Sequence, residues 1–188
     1  METLGISRSA PKSEGFLKRL LWPSIQNATD VDSLGVQGYW VCAILAVITI
    51  VTGIFSGHAI ALGITGLLFW IGGVGVREHS LYAAATVFAT YAVGVVQRPS
   101  ALGFLIAALL LSNLRATWIA SQWKPNSNEG IAPPRLGETW GDKFSDQVPL
   151  WLWPKVRIVY YVSSACFLAL TAVGLVVLFL RGASVRPY

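Results

Sequence analysis

Charged residues are scarce in this sequence, and its long apolar stretches have none. Only 12% of the 188 residues are Asp, Glu, Lys or Arg, whereas an average soluble domain has about 25%. Four stretches contain no charged residue: 39–55, 59–76, 81–96 and 101–114. A soluble domain of this size could not bury that much apolar surface, so these stretches must lie in lipid.

Cysteine and histidine are also rare, so few side chains could take part in redox chemistry or bind a metal ion. Cys42 and Cys166 form no CxxC pair and no zinc-type spacing. Both fall inside predicted spans, where we expect two small buried side chains rather than a disulfide. His58 and His79 stand 21 residues apart along one predicted helix. That separation is a rise of roughly 30 Å, so the two histidines cannot bind a common centre. We therefore predict no metal site and no cofactor.

Catalytic motifs are absent as well. The sequence has no Gly-x-Ser-x-Gly elbow, no His-Glu-x-x-His helix and no Ser-Lys or Asp-Asp pair inside a span. The glycines at 73 and 75 are not a dinucleotide fingerprint, because they end a membrane span instead of joining a strand to a helix. Span interiors without charge also argue against an ion-coupled transporter. We predict no catalytic residue, and the sequence favours a non-enzymatic protein over an enzyme.

The apolar stretches predict an all-α polytopic membrane protein with about five transmembrane helices and short interfacial amphipathic helices. The third span, 81–97, is short. One membrane domain is expected, because no polar segment is long enough to build its own core. Five parts are predicted from the amino terminus onwards. They are a cytoplasmic segment with an interfacial helix (1–37), a four-helix block (38–120), a cytoplasmic amphipathic loop (121–155), a fifth span (156–181) and a short outside tail (182–188).

Local patterns predict the structure of the polar segments. Residues 13–22 and 139–148 carry apolar side chains at helical spacing and predict short amphipathic helices. Pro149 is expected to end the second of these, because proline lacks the backbone N–H that continues a helix. Two aspartates and several small residues predict a turn-rich linker over residues 27–35.

Basic residues predict the orientation of the spans. Eleven lie on the side of the amino terminus and three on the other side. The larger group comprises Arg8, Lys12, Lys18, Arg19, Arg77, Arg115, Lys124, Arg135, Lys143, Lys155 and Arg157, and the smaller group comprises Arg98, Arg181 and Arg186. The positive-inside rule therefore predicts a cytoplasmic amino terminus and an outside carboxyl terminus. Short loops suggest a bacterial inner (plasma) membrane.

One candidate site lies at the cytoplasmic rim of the four-helix block, where polar residues cap the second, third and fourth spans: Arg77, Glu78, His79, Asn113 and Arg115. An ordinary positive-inside rim, with Glu78 paired to Arg77 or Arg115, explains these residues. The functional alternative is a pocket for a lipid phosphate, in which glycine-rich backbone presents N–H groups beside Arg77. The sequence leaves both interpretations open.

A second candidate is an aromatic surface on the 121–155 loop, with four residues placed to contact a partner: Trp140, Phe144, Trp151 and Trp153. The loop is richer in tryptophan than anchoring in the headgroup layer requires. This surface and the absence of charge inside the spans favour a non-enzymatic scaffold or accessory subunit of a membrane complex.

Two alternative functions stay open at this point: a small passive transporter or pore for a neutral or lipidic solute, and a lipid-modifying enzyme. The expected partners are the lipid bilayer, with anionic headgroups on the cytoplasmic side, and either another membrane protein or a second copy of the chain. Nucleic acid is not expected, because the net charge of +5 comes from residues that flank the apolar spans.

Overall fold

The computed structural model describes residue 25 and residues 28–122 and 140–184 of the chain. Every regular element within these residues is a helix, which confirms the all-α prediction. In chain order the helices are α1, Ala28–Phe55; α2, Ala59–Arg77; α3, Leu81–Gln97; α4, Ala101–Gln122; and α5, Trp140–Ser184. The predicted interfacial helix over residues 13–22 lies outside the described residues.

Four of these helices are long and apolar enough to cross a membrane: α1, α2, α4 and α5. Helix α3 is also apolar, but its 17 residues stand at the lower end of the roughly 17–25 that a crossing needs. The prediction of an integral membrane protein with several helical spans is therefore confirmed. The third predicted span is the one whose length is marginal.

Helices α1 to α4 pack as a ring, each against the next and α4 back against α1. The connections after α1, α2 and α3 are three residues long, so consecutive helices are antiparallel. Helix α5 packs on the outside of this ring, mainly against α2 and less against α3. The ends of α2 and α4 and the starts of α1, α3 and α5 therefore lie at the same end of the molecule.

Apolar side chains hold the helices together in two clusters. The first lies inside the ring and contains residues from all four of its helices: Cys42, Leu45, Ala46, Phe69, Val87 and Leu110. The second joins the ring to α5 through Tyr39, Val74, Ala83, Trp153 and Tyr160. A β-carbon on Gly75 would overlap the ring of Trp153, so α5 approaches α2 this closely only because residue 75 is glycine.

The predicted turn-rich linker over residues 27–35 is wrong, because α1 already begins at Ala28. The small and acidic residues that resemble a turn make tertiary contacts instead. A β-carbon on Gly35 would lie 3.2 Å from Cε1 of His79, and Asp32 forms an ion pair with a residue of α2. Such contacts outweigh the weak local propensities on which the prediction rested.

The predicted end of a helix at Pro149 is also wrong. Helix α5 begins at Trp140 rather than near residue 156, and it runs through Pro149 and Pro154 for 45 residues. A proline inside a helix costs about 3 kcal/mol. Here Pro149 is fully buried, and Trp153, one turn further on, packs in the second cluster. A broken helix next to lipid would also leave backbone polar groups unsatisfied.

Candidate functional site

The described residues contain a buried cluster of three charged side chains, centred on Arg77 at the end of α2. Only 1% of the Arg77 side chain is exposed. Its Nη1 lies 2.5 Å from Oδ1 of Asp32 at the start of α1, and its Nη2 lies 2.6 Å from Oδ1 of Asp146 at the start of α5. A further hydrogen bond of 3.4 Å joins Nη2 to Oδ2 of Asp32. One guanidinium group therefore connects three helices.

Two carboxylates face one guanidinium in this cluster, so its formal charge is −1. The Asp146 side chain is 9% exposed and the Asp32 side chain 25%, which leaves water access mainly to Asp32. Within the described residues, Nε of Arg77 is buried without a hydrogen-bond partner. Removing one partner of a buried ion pair typically costs about 3–5 kcal/mol, because the remaining charge loses its compensation. The cluster therefore fixes the start of α5 to the α1–α2 hairpin.

The turn that follows Arg77 has an unusual backbone conformation at His79. Its φ of 55° lies in the left-handed region, where non-glycine residues are uncommon. The His79 N–H donates to the Val76 carbonyl at 3.0 Å, and the Ser80 N–H donates to the Gly75 carbonyl at 2.9 Å. This is the Schellman pattern of helix ends, in which the position of His79 is normally occupied by glycine.

Arg77 and His79 converge on the same point of α1. A β-carbon on Gly35 would lie 3.2 Å from Cε1 of His79 and 3.5 Å from Nη1 of Arg77. The structure thus brings together two of the five residues predicted at the cytoplasmic rim. It also shows that the two Arg77 terminal nitrogens contact aspartates of the same chain.

The other three predicted rim residues lie in different environments. Asn113 is buried between α4 and α1, and its Nδ2 donates to the backbone carbonyl of Leu34 at 2.6 Å. Glu78 and Arg115 are half-buried, and each makes interactions of its own.

Asp32 and Asp146 are the residues of this cluster that the sequence analysis did not select. They lie 45 and 69 residues from Arg77 along the chain, so no local pattern joins them. One signal was available: an arginine directly after an apolar, glycine-rich span needs a counter-charge if the end of the span is buried.

The four predicted aromatic contact residues divide into two pairs. Trp153 is buried in the second cluster, and Phe144 packs against that cluster. Trp140 and Trp151 are exposed by 76% and 64%. The Trp140 ring stacks on Phe144 with centroids 5.4 Å apart, and Nζ of Lys155 lies 4.0 Å from the centroid of the Trp151 ring.

Hydroxyl groups line the contact between α3 and α5. The hydroxyls of Thr86 and Tyr160 are 2.8 Å apart, and those of Ser80 and Tyr161 are 3.3 Å apart. The Tyr82 hydroxyl donates to the Tyr161 carbonyl at 3.1 Å. These hydrogen bonds hold α5 against the short helix α3. In a lipid environment, water does not compete for them.

A cavity of about 470 Å³ lies at the other end of the molecule, between α2, α3 and α5. Its deeper wall is aromatic and includes Phe69, Tyr91 and Phe167. Its rim includes Gln97, Arg98 and Ser100 at the turn between α3 and α4. A volume of this size falls in the range of about 300–1,000 Å³ that is usual for ligand pockets.

Comparisons of the chain with protein-family models, with curated proteins and with solved structures gave no match. Among the described residues, no group of three or more His, Cys, Asp or Glu side chains is arranged to hold a metal ion. The Arg77 cluster, the aromatic surface and the cavity are therefore the features of this chain that bear on its function.

Proposed function

We propose that the protein is a scaffold or accessory subunit of a membrane complex, and that it contacts its partner through the first turns of α5. One observation carries the proposal: this part of α5 is held firmly to the membrane helices on one side while its aromatic side chains on the other side are uncovered.

Three kinds of contact hold the inner side of this segment. Asp146 pairs with the buried Arg77, Phe144 lies 6.4 Å from the rings of both Tyr39 and Trp40, and Trp153 is part of the core. A segment fixed in this way loses little conformational entropy when it binds, which favours association.

The outer side of the segment forms one continuous strip. Trp140 and Trp151 are 11 residues apart, which at about 100° per residue places them within roughly 20° of each other around the helix. Lys143 and Gln147 lie between them on the same side and are also exposed. Tryptophan is enriched among the residues that dominate binding energy at interfaces, and flanking polar groups are typical of interface rims. We call Trp140, Lys143, Gln147 and Trp151 the α5 strip.

The basic residues support an orientation for this surface. By the positive-inside rule, the end that carries the Arg77 cluster faces the cytoplasm and the end that carries Arg98 faces outside. The partner proposed for the α5 strip is therefore a protein at the cytoplasmic face of a bacterial inner membrane, or a second copy of this chain.

Photo-crosslinking in native membranes tests the proposal. A benzophenone amino acid at position 151 is expected to yield one discrete protein adduct. The same group at position 55, which is 87% exposed at the opposite end of α1, is expected to yield lipid adducts. Trp151→Ala should reduce recovery of the partner in mild detergent by at least about tenfold, whereas Phe55→Ala should not. Lipid adducts at both positions, together with unchanged recovery, would contradict it.

The cavity favours a second candidate, a passive pathway for a lipidic solute, because its deep wall is aromatic and lies inside the apolar region. Flux of a fluorescent lipid across vesicles that contain the purified protein would test this candidate. Absence of flux under any gradient would count against it. We do not extend the proposal to lipid-modifying chemistry at the rim, because the terminal nitrogens of Arg77 are engaged by Asp32 and Asp146.

A further inference from the structure

Among the described residues, no Asp or Glu lies at the cavity end of the molecule. The sequence has no Asp or Glu between Glu78 and Glu129, and none after Asp146. The acidic residues that the structure describes all lie at the end that carries the Arg77 cluster. Arg98 lies at the opposite end, in the turn between α3 and α4.

Arg98 and its neighbour Gln97 are exposed, and both line the cavity. The structure gives neither side chain a hydrogen bond or an ion pair with another described residue. The adjacent helix α4 begins at Ala101, where Ser100 caps the first turn by accepting from the Gly103 N–H at 3.0 Å. The positive end of this helix dipole adds to the charge of Arg98. The rim of the cavity is therefore positively charged, and no described residue supplies an anion to it.

The interior of the cavity has a different chemistry from its rim. From Gln97 to Thr90 it extends seven residues along α3, or about 10 Å towards the middle of the span. The hydroxyls of Thr65 and Thr171 donate to carbonyls of their own helices, and the other lining hydroxyls, of Thr90 and Tyr91, stand among mostly apolar side chains. A ligand that fits both regions is anionic at one end and mainly apolar over the rest of its length.

We propose that this cavity binds an anionic phospholipid, with the phosphate at Arg98 and part of one acyl chain between Phe69 and Phe167. The cavity opens at the level of the interface, where phospholipid headgroups lie, and it reaches inward in the direction of their chains. Charge complementarity at Arg98 selects the anionic headgroup, and the aromatic wall accommodates the chain. This site is independent of the α5 strip.

Native mass spectrometry of the purified full-length protein, with lipids added singly, tests the site. With equal acyl chains, retention is expected to fall in the order phosphatidylglycerol, phosphatidylcholine, diacylglycerol. Choline adds a positive charge near Arg98, and diacylglycerol lacks the phosphate. Glycerol phosphate, which has no acyl chain, should not displace the bound lipid, and this arm distinguishes a lipid from a free phosphate ion.

Two substitutions separate the rim from the interior, and each has a matched control. Arg98→Gln should reduce retention of phosphatidylglycerol about tenfold, the usual effect of losing a hydrogen bond to a charged group. Arg157→Gln, which removes an exposed charge at the other end, should leave retention unchanged. Gly94→Leu places a side chain in the cavity that Gly94 lines, and it should lower retention of all three lipids.

Gly174→Leu is the control for the interior, because a β-carbon there meets no atom within 4 Å and residue 174 does not line the cavity. It should retain phosphatidylglycerol as the unmodified protein does. Equal retention of phosphatidylglycerol and diacylglycerol would overturn the proposal. Unchanged retention of phosphatidylglycerol by Arg98→Gln, as expected for Arg157→Gln, would also overturn it. Because Arg98 is exposed, its substitution is not expected to disturb the fold.

Discussion

Nη2 of Arg77 and Oδ1 of Asp146 lie 2.6 Å apart although 69 residues separate them in the sequence. This ion pair joins the outer helix α5 to the ring of four helices, in addition to the hydroxyl contacts between α3 and α5. Together with Asp32 it holds the aromatic start of α5 in one position relative to the membrane.

Asp146→Ala is therefore expected to lower the free energy of unfolding by about 1.5–3 kcal/mol, because it removes a buried hydrogen bond between two charged groups while Asp32 still compensates the guanidinium. Unfolding in mixed detergent micelles, followed by circular dichroism, measures the change. Lys143→Ala removes a nearby exposed charge on the same helix and should change the free energy by less than about 0.5 kcal/mol. Equal effects of the two substitutions would show that the buried pair contributes nothing.

The left-handed conformation of His79 gives a second prediction. His79→Gly and His79→Ala both remove the imidazole, but only glycine adopts a φ of 55° without steric cost. The glycine variant should therefore be more stable than the alanine variant by about 1 kcal/mol or more. Thermal unfolding of the two variants in the same detergent checks the difference. A more stable alanine variant would mean that the turn changes its conformation.

Gly38 gives a third prediction, because its α-carbon faces the side chain of Asn113. A β-carbon at position 38 would overlap Nδ2 of Asn113, the atom that donates to the Leu34 carbonyl. Gly38→Ala should destabilise the protein by about 1–3 kcal/mol. Gly63→Ala is the control, since a β-carbon there meets nothing within 4 Å, and it should stabilise the helix by about 0.5–1 kcal/mol.

A double variant shows whether this overlap is the cause. Gly38→Ala combined with Asn113→Ala removes the obstructing amide, so its stability should exceed the value expected if the two losses simply added. Additive losses would place the strain of Gly38→Ala elsewhere, for example on Val76, which also lies within 3 Å of that β-carbon.

The sequence was sufficient for the helical spans because their signal is local. Lipid requires about 20 consecutive apolar residues with no charge, and this requirement is visible without knowing any tertiary contact. The starts of α1 and α5 were predicted wrongly for the opposite reason. Gly35 and Pro149 disfavour a helix by local propensity. In the structure, however, Gly35 packs against His79 and Pro149 is fully buried.

The candidate site was only partly predictable for the same reason. Arg77 and His79 were selected because they follow an apolar span, a feature of the sequence alone. Their partners were not, because Asp32 and Asp146 lie on helices whose packing order depends on side-chain fit along glycine-lined surfaces such as Gly75. The order in which the five helices pack against each other therefore cannot be read from the pattern of apolar and polar residues.

The distance along the chain between Arg77 and Asp146 also has a consequence for synthesis. Ribosomes add about 5–20 residues per second, so the 69 residues between the two take roughly 3–14 seconds to be made. During that interval a nascent chain has Arg77 in place with Asp32 as its one acidic neighbour in the cluster. Until Asp146 is made, Arg77 is paired with Asp32 alone, so the α1–α2 hairpin can form its ion pair first and then receive the start of α5 as the last addition to the cluster.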